Sequence, residues 1–325
     1  MAYLVEIKPA GVTFPAAQKE SLLHAALQAG LNVDHGCTNG RCGHCKARLL
    51  SGDLARIRQH DFVLSEADKE AGTVLMCCHS ARSPVSLETS LASDGSDIPL
   101  QNLTARVRRL EQVDENTLRL YLRTPRSNTL RFMAGQHAIL KLDNELQREL
   151  PIASCPCDGL NLEFHLHRES SEPFTDFIFT QASKSMPVQV SAPCNGITLV
   201  EDDPAPIMFI AWGTGFAPIQ SIIENCLSLN FQQQMVFHWV VHEHEIHYAD
   251  GYCRSVGDAI DNFHYHPIQT DTADEAINKI ISWHQDFKQW RSYIIAPPAI
   301  IDSVVERLCA KGLSESKVKS DPIVA

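Results

Sequence analysis

The 325-residue sequence has no uninterrupted apolar run near the ~20 residues that a helix needs to cross a bilayer. Basic residues are scarce, with 28 Lys and Arg against 39 Asp and Glu and a net charge of −11. Electrostatic binding of nucleic acid or of an anionic membrane needs a basic surface, so neither partner is expected. The first residues also lack the basic segment and the long apolar stretch of an export signal. We therefore expect a soluble, cytoplasmic protein without a membrane span.

Cysteine, by contrast, is abundant, with eleven residues in the chain. In a protein without an export signal, thiols serve more often as metal ligands than as disulfide partners. The length also bounds the architecture, because domains of about 100–200 residues predict two or three compact units here. Metal binding by a multidomain protein is therefore the first functional class to consider.

The pattern of apolar residues changes along the chain and divides it into three units. Residues 1–92 alternate short strand and helix signals, and residues 93–101 have the composition of a linker. Residues 102–203 contain short strands separated by turns, which predicts an antiparallel barrel or sandwich. In residues 204–325 apolar strands alternate with helices, as is typical of an α/β domain with a parallel sheet.

The strongest chemical signal is a glycine-rich cysteine loop. Cys37, Cys42 and Cys45 follow the spacing C-x4-C-x2-C, and the adjacent pair Cys77 and Cys78 follows later in the chain. This spacing is that of plant-type ferredoxins and predicts a [2Fe–2S] cluster, whose four thiolate ligands include one from a distant segment. A zinc site or a set of buried structural cysteines are the alternatives, although zinc ligands usually form two close pairs. Neighbours in an extended segment point in opposite directions, so only one of the last two cysteines is expected to face the irons.

A second signal is a glycine turn between a predicted strand and a predicted helix. The apolar run Ile207–Ala211 is followed by Trp212 and then by Gly213, Thr214 and Gly215. Glycines in this position allow a dinucleotide phosphate to approach the N-terminus of the following helix. The alternative is a turn that needs glycine only for packing.

These residues carry a resemblance to a known family. The first unit resembles a plant-type ferredoxin, and the whole chain resembles three-part NAD(P)H-dependent iron–sulfur flavoprotein reductases, in particular CDP-6-deoxy-Δ3,4-glucoseen reductase-like proteins and the reductases of phenol hydroxylase and methane monooxygenase. The matching segments read VLMC, FMAGQ, RELPIAS and GTGFAPI. The resemblance implies an α+β β-grasp ferredoxin domain, then an antiparallel β-barrel for flavin, then an α/β parallel-sheet nucleotide domain. It also favours Cys77 as the fourth cluster ligand, because the family carries that ligand at the end of VLxC.

The flavin contacts that the resemblance implies are partly changed. The implied contacts are Arg148, Ile152, Ala153, Ser154 and Thr175. Leu150 and Pro151 stand where the family has an aromatic residue and a hydroxyl, and proline also lacks an amide donor. Ser170, Ser171 and Glu172 replace Pro-Gly-Gly before a helix, and Glu172 places negative charge near the flavin phosphates. We therefore expect FAD to be held weakly, and a barrel that keeps its fold without flavin is the alternative.

The dinucleotide site also departs from the family. Val240, Val241 and His242 replace a Gly-x-Arg segment, and Glu243 follows directly. Since a 2′-phosphate requires positive charge, these residues favour NADH over NADPH. Near the nicotinamide, Ile295, Ala296, Pro297 and Pro298 stand in place of the family's Cys-Gly-x-Pro segment.

The resemblance implies an electron-transfer reductase. Electrons pass from NAD(P)H through FAD to the [2Fe–2S] cluster and on to a separate terminal oxygenase or dehydratase. The cofactors carry this chemistry, so no side chain is assigned as catalytic. The alternative is a degenerate reductase scaffold that acts as a ferredoxin-like electron carrier or as a structural subunit of a complex.

Three further groups of residues are of types that often bind metals, form disulfides or contact partners. Cys155 and Cys157 are separated by one residue, a gap unsuited to a disulfide. His238 and His242 have helical metal-ligand spacing but lie on a predicted strand, so a metal site is not expected there. Basic residues near the cysteine loop would steer an acidic redox partner, although a solvated charged face is the more frequent case: Arg41, Lys46, Arg48, Arg56 and Arg58.

Overall fold

A computed structural model describes residues 2–92, 97–168 and 172–323. The chain forms three main sheets in sequence order, each with its own apolar core. Within the described residues, none of the helices has both the length and the apolar character needed to cross a membrane. Part of the predicted linker 93–101 lies outside the described residues, and so do Ser170 and Ser171. The first strand of the second unit begins at Gln101.

The first unit is a five-stranded mixed sheet in the order β2-β1-β7-β3-β5, with a second small sheet of β4 and β6. β1 and β7 are parallel, whereas the other pairs are antiparallel. Helix α1 begins where the Ser21 hydroxyl accepts the His24 N–H, and its apolar face packs into the core. The elements are β1 (Ala2–Lys8), β2 (Val12–Ala17), α1 (Leu22–Gln28), β3 (Lys46–Ser51), β4 (Leu54–Arg56), α2 (Glu66–Glu70), β5 (Thr73–Leu75), β6 (His79–Ala81) and β7 (Val85–Glu88).

The second unit is a six-stranded sheet in the order β11-β10-β13-β8-β9-β12, and every strand pair in it is antiparallel. Alternate residues of each strand point to one side, where a core of leucines and phenylalanines is closed by one helix. The elements are β8 (Gln101–Gln112), β9 (Thr117–Arg123), β10 (Gln136–Lys141), β11 (Gln147–Pro151), β12 (Asn161–His167), α3 (Pro173–Thr180) and β13 (Pro187–Gly196).

The third unit is a parallel sheet in the order β16-β15-β14-β17-β18, with apolar cores on both faces. The chain moves outward from β14 to β16 and then returns to the other side of β14. The crevice at the carboxyl end of β14 is therefore the point where ligands bind in such sheets. The elements are β14 (Ile207–Trp212), α4 (Phe216–Ser228), β15 (Met235–Val241), α5 (Asp250–Ala259), β16 (Phe263–Gln269), α6 (Ala273–Ser282), β17 (Arg291–Ala296), α7 (Pro298–Ala310) and β18 (Val318–Pro322).

One buried arginine joins the first unit to the second. The Arg131 guanidinium donates to the Asn32 side-chain and main-chain oxygens and to the Asp34 carboxylate, at 3.0–3.2 Å. Next to it, the Thr129 N–H donates to the Gly36 carbonyl at 3.0 Å. Gly36 directly precedes Cys37, so these contacts fix the cysteine loop against the barrel.

Candidate functional site

The cysteine loop occupies the connection between α1 and β3 and turns its sulfurs inward. Cys37 is buried, and its sulfur accepts the N–H groups of Arg41 and Cys42, both at 3.3 Å. The Cys42 sulfur accepts the His44 N–H at 3.5 Å. Burial alone would raise the pKa of Cys37, but these amide donors outweigh it and lower that pKa. The loop is therefore built to stabilise a thiolate at Cys37.

The remaining cysteines meet the loop from the other side of the core. The neighbouring Cys45 thiol, together with burial, raises the pKa of Cys77 well above the usual range. The Cys78 sulfur lies 3.6 Å from that of Cys77. The expectation of an extended segment is wrong here, because Met76–Cys78 is a single 3-10 turn that places both sulfurs on the same side.

Four of these thiols belong to the predicted cluster motif. Cys37 interacts electrostatically with Cys42, and Cys77 interacts with both Cys45 and Cys37. Four neighbouring cysteines are the number that a [2Fe–2S] cluster needs, and their role as its ligands stays a prediction.

Two glycines allow a second segment to close over the loop. Gly40 and Gly43 have φ values of +84° and +78°, in the left-handed region that favours glycine. A Cβ atom at Gly43 would lie 2.3 Å from the Phe62 ring, and one at Gly40 would lie 2.5 Å from His60. The Phe62 N–H also donates to the Gly40 carbonyl at 3.1 Å. Both glycines are therefore required for close packing as well as for the turn.

A second site lies between the barrel and the parallel sheet. A cavity of about 550 Å³ opens there, beside the carboxyl end of β14. Its walls come from both units and include Arg148, Leu150, Pro151, Thr214, Gly215 and Ile295. Residues of the predicted flavin motif and of the predicted dinucleotide turn thus face the same space. That arrangement suits a reaction between two cofactors held on opposite walls.

Beside this cavity, which Arg148 lines, Arg148 meets Glu172 and Thr175 in a corner at the start of α3. An Arg148 Nη atom donates to the Thr175 hydroxyl at 2.5 Å and to the Glu172 carboxylate at 3.1 Å. The Glu172 carboxylate also accepts the N–H groups of Phe174 and Thr175, at 3.1 and 2.7 Å. Burial would raise the pKa of Glu172, but the Thr175 hydrogen bonds and the nearby arginine lower it. This corner combines a guanidinium with a helix N-terminus, as anion sites do.

The other predicted flavin contacts lie deeper. Ile152 and Ala153 are fully buried, and their N–H groups donate to the carbonyls of Gln136 and Glu163. The Ser154 hydroxyl accepts the Glu163 N–H at 3.3 Å, and its carbonyl accepts the Ser221 hydroxyl at 2.8 Å. Ile152 and Ala153 thus connect segments of the barrel unit, and Ser154 connects that unit to α4 of the third unit. Leu150 and Pro151, by contrast, line the cavity.

The glycine turn occupies the switch point of the parallel sheet. Gly213–Gly215 forms a 3-10 turn that leads directly into α4. The Gly213 carbonyl accepts the Trp239 indole N–H at 2.9 Å. A Cβ atom at Gly215 would lie 2.9 Å from Ile295, so this glycine is needed for packing. Thr214 and Gly215 also line the cavity, and the role of this turn in dinucleotide binding stays a prediction.

Sequence reasoning missed a histidine that joins the barrel to the last strand. His137 Nδ1 lies 2.9 Å from a Glu149 oxygen, and its Nε2 lies 2.6 Å from an Asp321 oxygen. Burial lowers the pKa of His137, but the two carboxylates outweigh it and raise that pKa above its usual range. The side chain lines the cavity. No local motif marks it, because its partners are 12 and 184 residues away.

A second missed group is buried between the same two units. His165 bridges Glu163 at 2.8 Å and the Tyr248 hydroxyl at 2.9 Å. Burial opposes ionisation of Glu163, but hydrogen bonds from His165 and the charge of Arg119 lower its pKa to about 2. The alternation of β12, which reads NLEFHLH, predicts that these polar residues point away from the barrel core, so no local signal shows that the parallel-sheet unit covers them.

One expectation about the remaining cysteines is wrong. Cys155 and Cys157 form a disulfide across Pro156, although a one-residue gap was considered unsuitable. The other nine cysteines are free. Beside the pair, Glu224 accepts the Cys155 N–H at 3.0 Å, and burial raises the pKa of Glu224 to about 7.

Comparison with known proteins agrees with this architecture. Residues 5–82 match the family described as the 2Fe-2S iron-sulfur cluster binding domain. The whole fold is similar to that of the Amycolatopsis cytochrome P450 reductase GcoB, with a TM-score of 0.63 and 21% identity over 98% of each chain. The fold is also similar to that of phthalate dioxygenase reductase, with a TM-score of 0.57 and 15% identity over 68% of this chain and 68% of that chain. The predicted fold class is thus confirmed.

Sequence relatives share this full-length organisation. The chain is 28% identical to the CDP-6-deoxy-L-threo-D-glycero-4-hexulose-3-dehydrase reductase of Yersinia pseudotuberculosis, over 100% of this chain and 99% of the relative. It is 23% identical to the reductase component of propane 2-monooxygenase from a Gordonia species, over 93% of this chain and 91% of that protein. The predicted resemblance to three-part reductases is therefore confirmed.

Proposed function

We propose that the chain takes electrons from NADH, passes them through FAD to a [2Fe–2S] cluster and delivers them to a separate redox protein. The observation that carries this proposal is the meeting of the flavin motif and the dinucleotide turn in one cavity. The bound cofactors would supply the conversion of a two-electron donor into single electrons. The protein's part is to hold them, to exclude water and to set their potentials.

For the cluster we propose Cys37, Cys42, Cys45 and Cys77 as ligands. The amide donors around the loop sulfurs support this assignment, because such hydrogen bonds stabilise thiolates and raise the potential of a bound cluster. The interaction of Cys77 with Cys45 and the match of Cys77 to the VLxC segment favour Cys77 over its neighbour. Cys78 is also buried, and its sulfur lies 3.6 Å from that of Cys77.

For the flavin we propose Arg148 and Thr175 as phosphate contacts, with Ile152, Ala153 and Ser154 supporting the strand from behind. For the dinucleotide we propose the turn Gly213, Thr214 and Gly215. These assignments rest on the shared cavity and on the anion-binding character of the α3 N-terminus.

The preference for NADH is supported by the charges after β15. The Glu243 N–H donates to the Asp271 carboxylate at 3.0 Å, and Glu245 accepts the His242 N–H at 3.3 Å. Three carboxylates therefore surround the position where a 2′-phosphate would need an arginine. We expect kcat/KM for NADH to exceed that for NADPH, and Glu243→Arg to narrow the difference. A stronger preference for NADPH in the unaltered chain would contradict this assignment.

The terminal acceptor is proposed to be a dehydratase or an oxygenase component. Two supports are the full-length similarity to the Yersinia reductase and the matching order of units in the propane 2-monooxygenase reductase. We also propose that the protein works in the cytoplasm, because nine of its eleven cysteines are free and only Cys155 and Cys157 form a disulfide. Arg56 and Arg58, on the segment that closes over the cysteine loop, would favour an acidic partner surface.

The proposal is tested by reconstituting the protein with iron, sulfide and FAD and following NADH-driven reduction of cytochrome c. We expect reduction that depends on both cofactors. The matched control is Cys77→Ser, which should keep NADH-driven reduction of a dye that accepts electrons from flavin. Absence of any reduction above a protein-free control would reject the reductase assignment.

A second candidate is an electron carrier that no longer performs hydride chemistry. The observation that favours it is the Glu172 carboxylate, which occupies the donors of Arg148 and α3. In that case the purified protein would show cluster absorbance that added NADH does not bleach, with or without FAD.

A further inference from the structure

The corner at the start of α3 already contains an anion. Three donors that would suit a phosphate there point at the Glu172 carboxylate: the Phe174 and Thr175 N–H groups and one Nη atom of Arg148. The Arg148 and Glu172 side chains are only 16% and 26% exposed, and Thr175 is fully buried. The arrangement is therefore a formed set of contacts rather than a loose surface pair.

A carboxylate and a phosphate seek the same partners. Both accept hydrogen bonds from N–H groups at a helix N-terminus, and both bind a guanidinium through two oxygens. Two anions cannot share one such position, because the like charges repel at short range in a partly buried site. A flavin phosphate and the Glu172 carboxylate thus exclude each other.

We propose that Glu172 is an intramolecular competitor for the flavin phosphates, so that FAD binds only when its carboxylate leaves Arg148 and the α3 N-terminus. This inference rests on the proposed flavin site and adds a specific cause for weak retention. The contacts of Glu172 would stabilise the protein without FAD, because they satisfy the donors that the phosphates would otherwise use. Bound FAD would then dissociate readily into solution.

The test compares FAD affinity in the unaltered chain and in Glu172→Gln, measured by quenching of flavin fluorescence. Glutamine keeps the size and an acceptor oxygen but removes the charge. We expect Glu172→Gln to tighten FAD binding about tenfold, the equivalent of one charge-assisted hydrogen bond. The matched control is Asp176→Asn, which removes a charge from the same helical turn. Asp176 instead pairs with Arg168 and is 46% exposed, so solvent screens its charge. The FAD affinity of Asp176→Asn should therefore stay within about twofold of that of the unaltered chain.

Thermal unfolding separates competition from a merely structural role. Without FAD, Glu172→Gln should unfold at a lower temperature, because the carboxylate that caps α3 has been replaced. With saturating FAD it should show a larger upward shift than the unaltered chain. A residue that served only as a cap would lower the unfolding temperature in both conditions and leave the FAD shift unchanged.

Equal FAD affinity in the two proteins would overturn the inference while leaving the proposed function intact. Tighter binding in Asp176→Asn to the same extent would also overturn it, because the effect would then be one of general charge. If neither protein binds FAD, the proposed function fails and the inference fails with it.

Discussion

The cysteine loop and the corner at the start of α3 both contain backbone N–H donors, but the donors have different acceptors in the two places. In the loop, backbone N–H groups point at Cys37 and Cys42, and within the part of the chain that the structure describes no carboxylate accepts them. At the start of α3, two backbone N–H groups and Arg148 point at a carboxylate of the chain itself. A site made by backbone geometry tolerates changes in neighbouring side chains. A site that depends on a few side chains is less tolerant, because a single substitution can introduce another side chain that takes up its hydrogen-bond donors.

The largest effect should come from the cluster ligands. Serine at Cys37, Cys42, Cys45 or Cys77 should abolish nearly all of the visible cluster absorbance, because four thiolates are needed to hold two irons. Cys78→Ser is the matched control, since its sulfur lies only 3.6 Å from that of Cys77 yet is not paired with Cys45. Iron and sulfide per chain provide the measurement. Loss of the cluster in Cys78→Ser with retention in Cys77→Ser would reverse the ligand assignment.

The next largest effect should be on FAD binding at the corner at the start of α3. Arg148→Gln should weaken FAD binding roughly 10- to 100-fold, because it removes a charge-assisted contact and leaves the Glu172 charge uncompensated. Cluster content should be unchanged, since Arg148 lines the cavity between the barrel and the parallel sheet and not the cysteine loop. Fluorescence titration with FAD and iron analysis on the same sample measure both. Equal FAD affinity in the two proteins would show that the phosphates bind elsewhere.

A smaller effect should arise where the two sites are joined. Arg131→Ala removes the contacts to Asn32 and Asp34 and should destabilise the docking of the first unit by ~1–3 kcal/mol. Stopped-flow absorbance should show slower reduction of the cluster by NADH and an unchanged rate of flavin reduction. Arg126→Ala, a change at an exposed arginine of the same unit, is the control. Unchanged cluster reduction in Arg131→Ala would mean that this contact does not position the loop.

The smallest effect depends on pH. Because the folded structure raises the pKa of His137, its contribution to stability is complete below about pH 6.5 and is lost as the pH rises through the folded-state value. Between pH 6 and pH 8.5 the unaltered chain should therefore lose ~1 kcal/mol relative to His137→Gln. Thermal unfolding of both proteins across this range measures the difference. Parallel pH curves would show that the contacts with Glu149 and Asp321 do not depend on protonation.

The sequence predicts much of the architecture and the cysteine loop, and less of the flavin site. The spacing of Cys37, Cys42 and Cys45 is a local pattern, so it survives in any sequence that keeps the loop. The contact of Glu172 with Arg148 spans 24 residues, and that of His137 with Asp321 spans 184. No periodicity or motif encodes such pairs, because they depend on how strands and domains pack. The proximity of Cys77 and Cys78 likewise depends on a 3-10 turn that the alternation of an extended segment does not predict.

The central claim is that electrons reach the cluster only through a flavin bound between the barrel and the parallel sheet. An anaerobic titration of the cluster-loaded protein with NADH, followed by visible absorbance and electron paramagnetic resonance, tests it directly. We predict that NADH leaves the cluster oxidised until FAD is added and then reduces it, giving one unpaired electron per chain. Reduction of the cluster without FAD, or no reduction once FAD is bound, would contradict the account.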